Sequence, residues 1–177
     1  MIYEFDGKAP QIHPTAYISE SATIIGEVTI GADCYVGPGA VLRADNKPIV
    51  IGESTAVEDC VVIHAGGEDS KGTYIGRRVT IGHGAIVHST RVEDGANIGM
   101  GAITSLFSEI GEYAVVAEGA VVKQGQIVPP RVVVAGIPAK VIRELEDKDI
   151  KSWEASKQWY VDLGAKCRIP GMLKRLD

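Results

Sequence analysis

Three of the four histidines in this chain, His64, His83 and His88, fall in one short stretch. Neutral imidazole is the commonest side-chain ligand for zinc, and three imidazoles leave a fourth position on the ion open to water. An ion held in that way lowers the pKa of its water and supplies a hydroxide nucleophile near neutral pH. Arg43, Asp45 and Glu58 lie upstream and carry the charge that such chemistry needs for orientation and proton movement. His13 stands apart from the other three and reads as a solvated surface residue.

Whether these side chains can meet depends on the element that carries them. Aliphatic residues recur every six positions through Ile12, Ile18, Ile24, Ile30, Val36 and Leu42, and the beat resumes at Ile51, Val57 and Ile63. It continues through Ile75, Ile81, Val87, Val92 and Ile98 to Val134. A small residue commonly follows four positions later, as at Ala16, Ala22, Cys34, Ala40, Ala85 and Ala102. A helix cannot keep this spacing for so long, whereas a solenoid with three flat sides can. The expected fold is all-β: a left-handed parallel β-helix of about seven triangular coils, followed by a C-terminal α-helix. Residues 1–140 are assigned to the β-helix, and 141–177 to a helix and tail packed against it.

The beat is interrupted between Leu42 and Ile51, between Ile63 and Ile75, and between Val87 and Val92. Loops extruded at corners, Asp45–Pro48 and Gly66–Tyr74, account for the first two breaks. In units of hexads, Leu42, Ile63 and Val87 are three apart and so share one side of successive coils. Arg43, His64 and His88, which follow them directly, should form a column with neighbours about 4.8 Å apart. His83 follows Ile81 on another side. Five residues of extended chain separate it from His88, roughly 16 Å, whereas a Zn–N bond spans only about 2.0–2.1 Å. A neighbouring prism related by three-fold symmetry can deliver His83 to the His64/His88 column, so the spacing implies a metal site shared across a trimer boundary.

Composition narrows the field. The net charge of −5 and the lack of a basic stretch argue against nucleic acid as a partner. No apolar run is long enough to span a bilayer, and the N-terminus lacks the pattern of a signal peptide. Three cysteines, Cys34, Cys60 and Cys167, make an odd count with no CxxC pair, which suits a reducing cytoplasmic setting. Twenty-one glycines and few aromatics suit tight solenoid turns. Beyond Ile137-Pro138, Leu145 to about Lys166 reads as a helix with Ile150, Trp153, Tyr160 and Leu163 on one face, weakened at Gly164 and finished by Pro170.

Leu42-Arg43-Ala44-Asp45, Glu58-Asp59 ahead of His64, and Gly82-His83 ahead of His88 together resemble the γ-class carbonic anhydrases and their close relatives. The resemblance runs over nearly the whole chain. It implies a homotrimer holding zinc or ferrous iron through His64 and His88 of one chain and His83 of the next. The implied reaction is the reversible hydration of carbon dioxide to bicarbonate by a metal-bound hydroxide. Arg43 and Asp45 match that family's Arg-x-Asp ion pair, and Tyr160 would approach the site from the helix. Glu58 stands where the family commonly has an amide, and is the residue expected to relay protons or act as base. The family's glycine between Arg and Asp is Ala44 here, its asparagine before the amide is Ala56, and its acidic residue after the Asp is Asn46. Its long acidic loop is reduced to Gly66–Tyr74, with only Glu68 and Asp69.

The fold hosts several activities. A metal-holding trimer with no hydratase role is the main alternative, favoured by Glu58 and Ala56, and thioester hydrolysis by the same hydroxide is a variant of the enzyme reading. A hexapeptide acyltransferase, using one histidine as base and binding acyl-CoA between coils, does not need three converging histidines.

Overall fold

Each hexad makes a very short strand whose aliphatic residue points inward, and the next small residue turns the corner. In the computed structural model, which describes residues 1–176, these strands wind into a left-handed parallel β-helix. One side is built from Tyr17–Ile18, Tyr35–Val36, Ala56–Val57, Thr80–Ile81, Asn97–Ile98, Val115–Val116 and Val132–Ala135, one strand for each of about seven coils. The other two sides form one continuous sheet, because Thr23–Ile30 and Val41–Ile51 run round the corner between them. The inward residues Ile24, Leu42, Ile63, Val87 and Val122 stack into a fully buried core, closed at the corners by Ala22, Ala40, Val61, Ala85 and Ala120.

Several local expectations are revised. Asp45–Pro48 does not leave the sheet as a loop. The strand Val41–Ile51 continues through it, and its register against Thr23–Ile30 jumps between Gly26 and Val28, so the extra residues form a bulge at the corner. Gly26 permits this: a Cβ there would overlap the Ala44 carbonyl, and its φ of +78° is left-handed. The last coil is also capped by a strand not foreseen, Lys140–Glu144, antiparallel to Val132–Ala135.

The C-terminal helix α1 spans Asp147–Cys167, beginning two residues later than expected at a capping box between Glu146 and Asp149. Leu145 lies before it and packs with Val115, Val133 and Trp153. The helix runs on through Gly164 to Cys167, and Gly164 is buried where α1 passes over Tyr17 and Tyr35. The face of α1 turned to the prism includes a residue the apolar pattern did not reveal: Lys157, 1% exposed, donates to the Gly95 carbonyl at 2.8 Å. Arg78 holds the same stretch from the prism side through Glu154, at 2.6 Å. Among the described residues no helix is long and apolar enough to cross a membrane.

Candidate metal centre

The six-residue beat puts Arg43, His64 and His88 in parallel register on three adjacent strands, as the spacing predicted. Val62, Ile63 and His64, like Ile86, Val87 and His88, alternate out, in, out, so both imidazoles stand on the outer surface. The two rings stack with centroids 5.0 Å apart and planes 19° from parallel. His88 Nε2 is sealed from solvent and has no hydrogen-bond partner among the described residues. Burial lowers the His88 pKa, and the adjacent His64 and Arg43 add to the shift, so this imidazole is neutral at pH 7.

His64 is held from several directions. Its Nε2 faces Asp45 Oδ1 at 3.2 Å, and the other oxygen of that carboxylate pairs with Arg43. Burial raises the Asp45 pKa, but hydrogen bonds from Arg43 and His64 outweigh it and hold the carboxyl below its ordinary value. The backbone oxygen of His64 accepts from Ser89 N–H and from the Thr73 hydroxyl, each at 3.0 Å. Gly66 leaves room for the ring, since a Cβ there would come within 2.8 Å of His64 Cε1. Ser89, Thr73 and Gly66 were not singled out in the sequence. Gly66 carried the only readable signal, a glycine two residues beyond a functional histidine.

His83 lies elsewhere. It follows Thr80–Ile81, a strand of the separate eight-stranded sheet, whereas Ile86–His88 belongs to the other sheet. Among the described residues no three His, Cys, Asp or Glu side chains of one chain converge as a metal site. The expected residues therefore form two groups: Arg43, Asp45, His64 and His88 on a flat side, and Glu58, His83 and Tyr160 at a corner.

In the corner group Glu58 is 5% exposed. Its Oε2 accepts from the His83 backbone N–H at 3.1 Å and faces His83 Nε2 at 3.0 Å. The Asp59 N–H donates to His83 Nδ1 at 3.3 Å, an arrangement that assigns the ring proton to Nε2. Ligation through Nε2 needs the other neutral tautomer, and Asp59 Oδ2, 3.5 Å from Nδ1, is placed to accept that proton. Tyr160 reaches the same corner from α1. Burial, followed by a hydrogen bond to the Glu58 carboxylate, pushes its phenol well above the ordinary range. Its ring packs 5.4 Å from that of Tyr35. His13 is exposed, as expected, and its ring faces Thr15 Oγ1 at 3.0 Å.

The three imidazoles are donor types that a transition metal takes, with the Nε2 atoms of His64 and His83 now held by Asp45 and Glu58 and that of His88 free of any partner among the described residues. His88 offers a buried, unpartnered nitrogen, His64 stands beside it, and His83 sits half exposed on a corner with a carboxylate behind its far nitrogen. Between the coils beside the histidines, an outward aliphatic row runs through Val41, Val62, Ile86, Ile103 and Val121. Val62 and Ile86 are 37% and 41% exposed, a continuous apolar strip adjoining His64 and His88.

A parallel β-helix with this repeat and one C-terminal helix defines the hexapeptide-repeat class, and residues 9–44 match the family model "Bacterial transferase hexapeptide (six repeats)". The chain is 37% identical over 167 residues to carnitine operon protein CaiE of Proteus sp. (strain LE138), covering 94% of this chain and 84% of that protein. It is 40% identical over 164 residues to a carbonic anhydrase of Geobacillus kaustophilus (strain HTA426), covering 93% and 89%. A hexapeptide transferase family protein from Anaplasma phagocytophilum superposes with a TM-score of 0.88 at 34% identity, over 93% of this chain and 96% of that one. The chain belongs to the hexapeptide-repeat family that includes these proteins.

Proposed function

We propose that the protein is a homotrimeric, metal-dependent carbon dioxide hydratase, with zinc or ferrous iron held by His64 and His88 of one chain and His83 of the next. The observation that carries this reading is the buried, unpartnered Nε2 of His88 beside the parallel ring of His64. A sealed polar atom without a partner costs folding free energy unless a ligand uses it. The aliphatic strip beside the histidines supports assembly through that side, and the carbonic anhydrase relative supports the reaction. The chemistry such an ion supplies is a water acidified to a hydroxide nucleophile near neutral pH.

The chain's own residues divide the remaining work. Asp45, fixed by Arg43, orients the His64 ring. Asp59 Oδ2 accepts the Nδ1 proton of His83 when Nε2 ligates. Glu58 takes a proton from its surroundings and passes it toward solvent, while Tyr160, kept protonated, donates to that carboxylate and fixes it.

A second reading is favoured by one contact. Glu58 is already occupied by the His83 backbone and ring, so it can serve purely to hold His83 in a trimer without hydratase activity. Metal analysis and stopped-flow hydration of anaerobically purified protein separate the two. The hydratase reading expects about one ion per chain and hydration that disappears on chelation. One ion per chain with hydration no faster than buffer selects the silent trimer, and active protein without metal overturns both.

A further inference from the structure

A cavity of about 660 Å³ lies at the first coil, under the tail that follows α1, and shares no lining residue with either histidine group. The local sequence explains it. α1 ends at Cys167, and Ile169-Pro170-Gly171-Met172 then makes a tight turn. The Met172 N–H donates to the Ile169 carbonyl at 3.0 Å, and Gly171 takes a φ of +80°. Beyond the turn, Leu173, Lys174 and Arg175 come back beside Tyr17–Ile18, the terminal strand of its sheet, which has no coil below it to fill the space.

The charge of this tail is out of keeping with the rest of the chain. Net charge is −5, yet residues 163–176 carry four cations and no carboxylate. Three of the four, Arg168, Lys174 and Arg175, line the cavity against one carboxylate, Glu20. The side chains of Arg168 and Lys174 have no ion-pair or hydrogen-bond partner among the described residues. Cations at a helix C-terminus commonly offset the helix dipole, and Lys166 in the last turn of α1 is placed to do so. Lys174 and Arg175 lie past the turn, outside the last helical turn where that dipole acts.

The first coil supplies neutral donors to the same space. Ser19, 7% exposed, has its hydroxyl 3.2 Å from that of Ser21, and the Tyr17 phenol bonds to Ser19 and Cys167. Burial raises the Tyr17 pKa, so the phenol keeps its proton at neutral pH. Ile18 and Leu173 add apolar surface. Unpaired cations that line one cleft with hydroxyls draw an anion, and a doubly charged tetrahedral head uses more of these donors than a planar carboxylate does.

We propose that this cleft is a binding site for a small phosphomonoester. The phosphate is held by Arg168 and Lys174 with the Ser19 and Ser21 hydroxyls, and the organic part rests on Ile18 and Leu173. The site is formed within one chain and stands apart from the metal reading.

Phenyl phosphate, benzoate and benzylammonium, titrated calorimetrically into the purified full chain at low salt, test the proposal. The same titrations on His88→Ala separate this site from phosphate bound at a metal ion. Expected is saturable binding of one phenyl phosphate per chain in both proteins, several-fold weaker binding of benzoate, and no binding of benzylammonium. Arg168→Met and Lys174→Met keep an aliphatic stem and remove the charge, and each should weaken phenyl phosphate about ten-fold. Both side chains are exposed, so the melting temperature should not move. Glu20→Gln removes the opposing carboxylate and should tighten binding several-fold. Absence of saturable phenyl phosphate binding, benzoate or benzylammonium binding as tightly, unchanged affinity in both methionine variants, or binding lost in His88→Ala would overturn the proposal.

Discussion

The flat side that carries His64 and His88 and the corner that carries His83 and Glu58 are built by different rules. On the flat side each functional residue directly follows an inward aliphatic, so position in the column follows from the repeat, and the backbone ladder fixes the spacing. At the corner, geometry depends on side chains crossing between coils and on where α1 comes to rest. The flat side holds its histidines with an ion pair, two backbone contacts and a glycine gap. The corner holds His83 between two carboxylates. A repeat protein can therefore keep half of a site rigid by its fold alone, while the other half is set by a few replaceable contacts.

Damage on the flat side should be the more severe. His88→Ala removes the unpartnered nitrogen and should eliminate both bound metal and hydration while leaving the melting temperature of the metal-free chain within a few degrees. Metal analysis with calorimetry checks this, and full metal content in the variant would contradict the assignment. Gly66→Ala should come next. The added Cβ displaces the His64 ring without entering the core, and metal affinity should fall about ten-fold or more, as for other losses of support around a ligand. Competition with a chelator of known affinity measures it.

At the corner the effect is expected on turnover rather than on metal binding. Glu58→Gln keeps the shape and the acceptor for the His83 N–H but loses the proton-carrying group. If Glu58 moves protons, hydration should drop by about a hundred-fold at low buffer and recover in part with added imidazole. An unchanged rate would make Glu58 a positioning residue for His83.

A last effect concerns the helix anchor, away from the proposed centre. Burial, the dominant influence, lowers the Lys157 pKa from 10.5 to about 8, partly opposed by Glu154. Between those values the unfolded chain binds more protons at this position than the folded one. Its contribution is therefore fully present above 10.5 and is lost as pH falls through about 8. Relative to Lys157→Met, the native protein should gain stability between those two pH values, by an amount on the order of 3 kcal/mol at most. Parallel denaturant titrations at several pH values read the difference, and a flat profile would contradict the burial account.

The same division explains what was legible in the sequence. The prism, its core and the Arg43–His64–His88 column follow from counting six, because an inward-pointing error would place an aliphatic in water or a charge in the core. The contact between Glu58 and His83 was legible in principle, since Val57 and Ile81 are neighbours in register and Glu58 and His83 follow them within two residues. The strand through Asp45–Pro48 was hidden because a bulge and an extruded loop make the same gap in the count. Lys157 was hidden for another reason: it is a polar residue that α1 buries against the prism, and no periodicity in the helix marks its partner, the Gly95 carbonyl.

The shared centre itself is best tested by mixing two damaged chains. His83→Ala and His88→Ala trimers should each be metal-free. When they are unfolded and refolded together in equal amounts, a complete site forms only where a His83→Ala chain contributes His64 and His88 and its neighbour, a His88→Ala chain, contributes His83. Random assembly in a cyclic trimer meets that condition at roughly a quarter of boundaries, and metal should return to roughly a quarter of the sites. Recovery near zero, in trimers shown by mass spectrometry to contain both chains, would contradict a site built across the boundary.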